Sequence, residues 1–223
     1  MKEKCQFIRG FFHKNSRKLI PLLLLAAILL PIVVDNSYVL GICTKILLYM
    51  LLASSVNVIN GYSGQFAIGH AGFLCVGAYT AAILMARANV PFFLAMLGAG
   101  VMTALFGMLV SFPIGKLSGI YLGFVTLGFS EIVRIICLNW TSVTGGPMGI
   151  KAIPGPKIFG LSLQSSRGYY YIIFAVLVIM VFCTSRILKS RTGRAWISIR
   201  ENGAAAASIG INTAQYKTMN IMY

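Results

Sequence analysis

Apolar residues in this chain gather into six long segments, at about residues 19–34, 39–60, 65–86, 92–115, 119–140 and 169–188. A bilayer's hydrocarbon core is about 30 Å thick, so crossing it takes roughly 20 predominantly apolar residues of α-helix. The six segments reach that length or come close to it. Backbone at that depth has no water to bond to, so only helices and closed barrels can span. The short alternating segments of a barrel are absent. The sequence therefore predicts an all-α fold, a polytopic transmembrane helical bundle of about six spans.

The net charge of +15 raises the question of nucleic acid, and its distribution answers it. Lys2, Lys4, Arg9, Lys14, Arg17 and Lys18 precede the first span, while Arg186, Lys189, Arg191, Arg194, Arg200 and Lys217 follow the last. Six spans place both clusters on one side, and the bias of basic residues toward the cytoplasm makes that side internal. Lys116 lands there too. The charge thus reads as topology beside membrane lipid, with no nucleic-acid partner. It implies a multi-pass protein of the cell (inner or cytoplasmic) membrane with both termini cytoplasmic. Residues 1–18 form a basic tail, 19–188 the transmembrane region with an external loop at 141–168, and 189–223 a cytoplasmic segment. The N-terminus looks like a signal peptide, yet Pro31-Ile-Val-Val-Asp35 offers no small-residue cleavage site, so the first helix is expected to stay.

The stretch from Asn57 to Thr80 breaks the apolar pattern. It is dense in glycine and carries Gln65 and His70, one of only two histidines. Breakers and polar groups at membrane depth belong in protein-buried packing or in a cavity wall. Gly61, Ser63, Gly64, Gln65, Gly69 and His70 are accordingly candidates for a translocation path. There Ser63, Gln65 and His70 could hydrogen-bond a small polar solute, and free backbone at a helix break could meet its charged ends. Ordinary bonding between helices is the alternative.

Glu131 is the only acidic residue within a span, and Arg134 follows it by three residues, a spacing that permits an ion pair on one helix face. Charges at that depth must be paired or wet. The pair either links helices or belongs to the path. Gly115, Gly119 and Gly123 recur every four residues and leave one helix face bare for close approach. Gly and Pro also crowd Thr144–Ile150 and Ile153–Pro156, which fixes turns in the external loop.

Little else carries chemistry. Cys5, Cys43, Cys75, Cys137 and Cys183 are scattered without a Cys-x-x-Cys pair, so they read as small apolar thiols. His70 has no second ligand at metal spacing, and no cofactor or metal is expected. No Gly-x-x-x-x-Gly-Lys-Ser/Thr loop occurs, nor a nucleophile–histidine constellation, so the chain is not expected to hydrolyse ATP or act as an enzyme. After the last span, Ser190–Asn212 turns basic and then alanine-rich. Ala204–Ile209 suits a short helix stopped by Gly210. Such a segment either lies on lipid or docks a cytosolic partner.

Three blocks together resemble the LivM-type permease subunits of branched-chain amino-acid ABC transporters. They are Gly61–Phe73 running on to Gly77–Ile83, then Thr126–Arg134 with Thr144–Ile150 and Ile153-Pro154. The third holds Gly193-Arg-Ala, Ile199–Asn202, Ala205-Ala206, Gly210–Asn212 and Tyr216-Lys217. They span most of residues 57–217 in family order. The resemblance implies an ATP-driven importer of Leu, Ile or Val, with ATP hydrolysed in partner subunits. It implies a LivH-like second permease subunit, two cytosolic ABC ATPases and an extracytoplasmic solute-binding protein. It also makes Gly193, Arg194, Arg200, Glu201, Ala205, Ala206 and Gly210 a coupling loop for the ATPase. The family often has acidic residues where this chain has Gly203 and Ala207, which weakens an electrostatic contact there. Family members continue into further spans, so the chain is expected to be a truncated form ending at the start of the next one. Another small solute (urea or amides, a sugar, a nucleoside) is the nearest alternative cargo. An ATP-independent channel and a membrane enzyme rank lower.

Overall fold

The computed structural model describes residues 24–34, 36–114, 119–158, 161–162 and 165–222. The basic tail, Cys5, Gly115 and Lys116 lie outside them. The order is α1 (Leu24–Val33), α2 (Ser37–Val56) with a π-helical turn Asn57–Tyr62, α3 (His70–Ala86), α4 (Phe92–Ile114) and α5 (Ile120–Asn139). After these come α6 (Thr141–Thr144), a 3₁₀ turn Gly146–Met148, a hairpin of strands β1 (Lys157–Ile158) and β2 (Leu161–Ser162), and α7 (Ser166–Lys189). Three short helices close it: α8 (Arg191–Glu201), α9 (Gly203–Ser208) and α10 (Thr213–Met222).

The helical bundle matches expectation. Among the described residues, four helices are long and apolar enough to cross a membrane: Ser37–Tyr62, Phe92–Ser111, Ile120–Asn139 and Ser166–Lys189. Apolar Leu24–Val33 and His70–Ala86 are shorter. The segment expected at 65–86 loses its first turn because residues 63–69 are not helical. The 17 residues of α3 then reach about 26 Å at 1.5 Å per residue, just short of a hydrocarbon core.

Local chemistry places the helix starts. The Asn36 side chain accepts from Tyr38 N at 2.9 Å and opens α2, and Ser165 Oγ accepts from Gly168 N at 3.2 Å and opens α7. Each satisfies an amide that the first turn leaves without a helical partner. Arg186 and Lys189 in the last turn of α7 face its negative end favourably.

Helix α3 packs between α4 and α5, α2 packs against α7, and α10 inserts beside α4. Tyr170 and Tyr171 hydroxyls donate to Ala27 O (2.8 Å) and Ile28 O (3.2 Å), fastening α7 to α1. Phe73, Val110, Leu122 and Ile221 form the core, with the Phe73 and Phe129 rings 4.9 Å apart. The outer surface is apolar as well, with Leu109 and Phe124 about 70% exposed. This is the arrangement of a bundle whose solvent is lipid.

Of the expected Gly115–Gly119–Gly123 face, Gly115 lies outside the described residues, and the other two serve different ends. Gly119 sits at φ +63 as the cap of α5, with nothing near its side-chain position. Gly123 alone makes a close contact, with the Phe66 ring 2.8 Å from where a Cβ would stand. The 141–168 connection caps the opposite end of the bundle. Arg87 Nη2 donates to Ser142 O (2.6 Å) and Val143 O (2.8 Å), and Gly145, Gly146 and Gly149 all turn at positive φ.

Candidate functional site

The glycine-rich stretch is a true break between α2 and α3, and four of the amides it frees, those of Ser63, Gln65, Ala67 and Ile68, have acceptors. Ser63 N donates to Val58 O and Gln65 N to Ile59 O, which widens the end of α2 into a π turn. Ala67 N donates to Asn60 Oδ1 at 3.1 Å. Ile68 N donates to Thr126 Oγ1 at 3.1 Å, and that hydroxyl donates in turn to Gly123 O at 3.0 Å. The break is therefore held in part by α5, in keeping with what backbone at membrane depth requires. Gly69 is obligatory here, since a Cβ would land on the Thr126 carbonyl.

Two cavities flank the break. The larger, about 450 Å³, is walled by Ser55 and Ile59 of α2, His70, Phe73 and Gly77 of α3, and Thr103 of α4. It is apolar apart from His70 and the two hydroxyl residues, and His70 lies edge-on to Phe73 at 6.5 Å. The smaller, about 260 Å³, lies between the break and the α8–α10 corner; Ser63, Gly64, Gln65, Arg200 and Lys217 line it. Ser63 and Gln65 are 3% and 4% exposed.

The segment after α7 is folded onto this second cavity. A Cβ at Gly193 would strike the backbone of Ile187 and Leu188, so glycine permits the sharp α7–α8 corner. Arg194 Nη1 donates to Lys189 O at 3.0 Å and holds that corner. Asn202 Oδ1 accepts from Ala204 N and Ala205 N and starts α9. Ala206 is buried. Gly210 ends α9 at φ +87 as expected, with Ile211 N donating to Ala206 O and Gly210 N to Ala207 O. That pair of bonds is a Schellman stop.

Arg200 joins the two regions. Its Nη1 donates to Gly61 O at 2.9 Å, while Nε and Nη2 reach Glu201 Oε1 at 3.2 and 2.6 Å. Its aliphatic stem covers Gly64, whose φ of +65 and missing Cβ let the guanidinium pass.

The candidate path residues thus do not share one chamber. Gly61, Ser63, Gly64 and Gln65 face the α8 side, and His70 faces the apolar cavity beyond Gly69. Glu131 and Arg134 stand apart. They pair within α5, at 2.9 Å (Nε to Oε2) and 2.5 Å (Nη2 to Oε1), with side chains 49% and 60% exposed. The pair bridges no helices among the described residues.

Sequence reasoning missed the residues that hold these parts. Asn60 and Thr126 cap the break from a distance, and although Thr126 opens the second family-like block, nothing in the sequence pairs it with Ile68. Trp196 is 2% exposed and donates Nε1–H to Tyr216 O at 2.9 Å, bolting α8 to α10. One of only two tryptophans, in a basic amphipathic segment, was the available clue. Cys75 and Cys137, far apart in sequence, meet across α3 and α5 at 3.5 Å between sulfurs.

Residues 38–222 match the family model described as branched-chain amino acid transport system / permease component. The chain is 36% identical to the high-affinity branched-chain amino acid transport system permease protein LivM of Salmonella typhimurium, covering 87% of this chain and 51% of that protein. It is also 36% identical to the LivM protein of Escherichia coli, over 94% of this chain and 54% of that one. The chain thus spans about half the length of these relatives. No solved structure is significantly similar to it.

Proposed function

We propose a function from one premise, that this chain belongs to the family of branched-chain amino-acid transport permease components. It acts as a membrane permease subunit of an ATP-driven importer for Leu, Ile or Val. A second permease subunit completes the pathway, two cytosolic ATPases supply the energy, and an extracytoplasmic binding protein delivers the solute. ATP hydrolysis falls to those partner ATPases.

The observation that carries the reading is the Arg200–Gly61 hydrogen bond. A basic helix outside the spans grips the backbone at a break in the pathway, so a push on α8 and α9 is felt at Gly61–Gln65. Ion and solute sites built on broken helices use freed backbone in this way. The α8–α9 corner, with its Gly193 bend and Gly210 stop, is the ATPase docking element. The apolar cavity at His70 suits an aliphatic side chain in transit.

On this reading α1 and α3 complete six crossings and both termini are cytoplasmic, because that arrangement gathers the basic residues on one side. A reporter fused after Tyr223 should then be cytoplasmic; an external one would remove a crossing. The functional test is co-purification with products of neighbouring genes, followed by leucine-stimulated ATP hydrolysis and uptake in vesicles. Capture of no ATPase, or hydrolysis indifferent to every branched-chain amino acid, would overturn the proposal.

A further inference from the structure

Cys75 and Cys137 stand 62 positions apart in the chain, yet their sulfurs meet at 3.5 Å across α3 and α5. The helices around them build this approach. Gly72, one turn before Cys75, has no Cβ, and one there would stand 2.8 Å from Ser130 Cα, so the two backbones run close together. The Phe73 and Phe129 rings, 4.9 Å apart, pack at the same crossing. Cys43 on α2 and Cys183 on α7 have no sulfur neighbour among the described residues.

A disulfide holds its sulfurs about 2.05 Å apart and asks for backbones as close as these. Closing the gap from 3.5 Å takes an approach of about 1.5 Å, a movement within the reach of two side-chain rotations. Both thiols are half-buried, and neither is sealed off. Cys137 lies in the last turn of α5, and its carbonyl accepts from Thr144 Oγ1 at 2.6 Å, which puts the pair under the 141–168 connection. Tyr79, one turn beyond Cys75, and Ala82 line a cleft of about 220 Å³ against Ile150 and Ile153 of that connection. Space for a small reagent therefore opens beside the pair.

We propose that Cys75 and Cys137 form an oxidisable dithiol, which closes to a disulfide between α3 and α5 when it meets a low-molecular-weight disulfide. One sulfur sheds its proton and attacks the oxidant, whose S–S bond breaks to release one thiol; the second sulfur then displaces the other half. One S–S bond forms in the protein and one is lost from the oxidant, which takes up both protons and two electrons and leaves as two thiols. Extracytoplasmic surroundings preserve disulfides, whereas the cytosol keeps thiols reduced. The topology proposed above turns the 141–168 connection outward and so sets the side from which the oxidant comes; the bridge itself does not depend on it. Once closed, the bridge clamps α3, which carries His70, to α5, whose Thr126 Oγ1 accepts from Ile68 N. Oxidation thus stiffens the α5 side of the helix break.

The test treats the purified full chain in nanodiscs with oxidised glutathione, then unfolds it, counts free thiols and maps its peptides by mass spectrometry. Of the five cysteines, two should be lost, a peptide pair linked through Cys75 and Cys137 should appear, and dithiothreitol should restore both thiols. Closure of so long a loop should raise the thermal midpoint by about 5 °C or more. Cys75→Ala and Cys137→Ala should each abolish the linked peptides and the rise. The proposal is overturned if every thiol survives, if the lost thiols carry only glutathione adducts, if the linkage joins other cysteines, or if the rise persists in both variants. Membrane vesicles decide the side, since oxidised glutathione does not cross the bilayer. Closure in right-side-out vesicles supports the outward connection, and closure only in inverted vesicles keeps the dithiol and sinks the topology.

Discussion

Replacing Gly64 by alanine tests the joint between the break and α8 most directly. Two costs arise. At φ +65 an L-residue loses about 1–2 kcal/mol to contact between Cβ and its own carbonyl. Fewer unfolded conformations return about 0.4–1 kcal/mol of that. The second cost is Arg200. A Cβ at residue 64 would stand 2.6 Å from its Cγ and 3.2 Å from its Cβ, so the stem must lift and the bond to Gly61 O must stretch or break. A hydrogen bond from a charged donor is worth about 1.5–3 kcal/mol when buried, and the lower end applies to a half-exposed side chain. The sum is a loss of about 2–3 kcal/mol. The assay is reversible unfolding in mixed micelles, run as a double-mutant cycle with Arg200→Ala. Removing Cγ should shrink the Gly64→Ala cost to about 1 kcal/mol, giving a coupling energy of at least 1 kcal/mol between neighbours. Gly100→Ala, in α4 with nothing within 4 Å, is the control. It should be neutral or slightly stabilising, because Ala is the better helix former. If Gly64→Ala costs the same with or without the Arg200 side chain, the contact between α8 and the break is not there.

Two further perturbations bear on how the break is held. Thr126→Val deletes the acceptor for Ile68 N and should cost about 1–3 kcal/mol for the stranded amide, whereas Thr126→Ser should cost less than half of that. Thermal unfolding of the pair checks it, and equal losses would mean that packing, not the hydroxyl, matters. Trp196→Phe keeps a buried ring but drops the bond to Tyr216 O, worth about 1 kcal/mol. Amide exchange across residues 213–222 should rise several-fold while α3–α5 stay protected; unchanged exchange would show that α10 is held by its packing against α4 and not by this bond.

How far the sequence carried depends on whether a feature lies along the chain or across it. The apolar segments and the α9 helix with its Gly210 stop were legible, because length, alanine content and a terminal glycine act locally. The span boundaries were only partly legible. Hydropathy does not register a break: Phe66, Ala67 and Ile68 are apolar, and residues 63–69 leave the helix through the bonds of Asn60 and Thr126, the latter 58 positions from its amide. The same holds for the Cys75–Cys137 approach, which needs α3 and α5 side by side. The path residues were grouped because they are adjacent in sequence, yet Gly69 against the Thr126 carbonyl puts Gln65 and His70 on opposite sides of a turn. The spacing of Gly119 and Gly123 likewise does not show that the first serves φ at the start of α5 and the second serves packing against Phe66.

The consequence for mechanism follows from where strength and weakness lie. The break is held on one side by Thr126, a buried hydroxyl on a full-length span, and on the other by Arg200, a half-exposed side chain shared between Gly61 O and Glu201. The first contact rests on a buried hydroxyl; the second is exposed and is shared with a partner one residue away. A displacement of α8 therefore costs little at Arg200, while moving α5 would take the Thr126 acceptor from the Ile68 amide. Motion should concentrate at Gly61–Gln65 and leave Ile68 and α3 in place. The glycine at 64, tolerant of backbone change, sits at that compliant side, and the obligatory glycine at 69 sits at the fixed one.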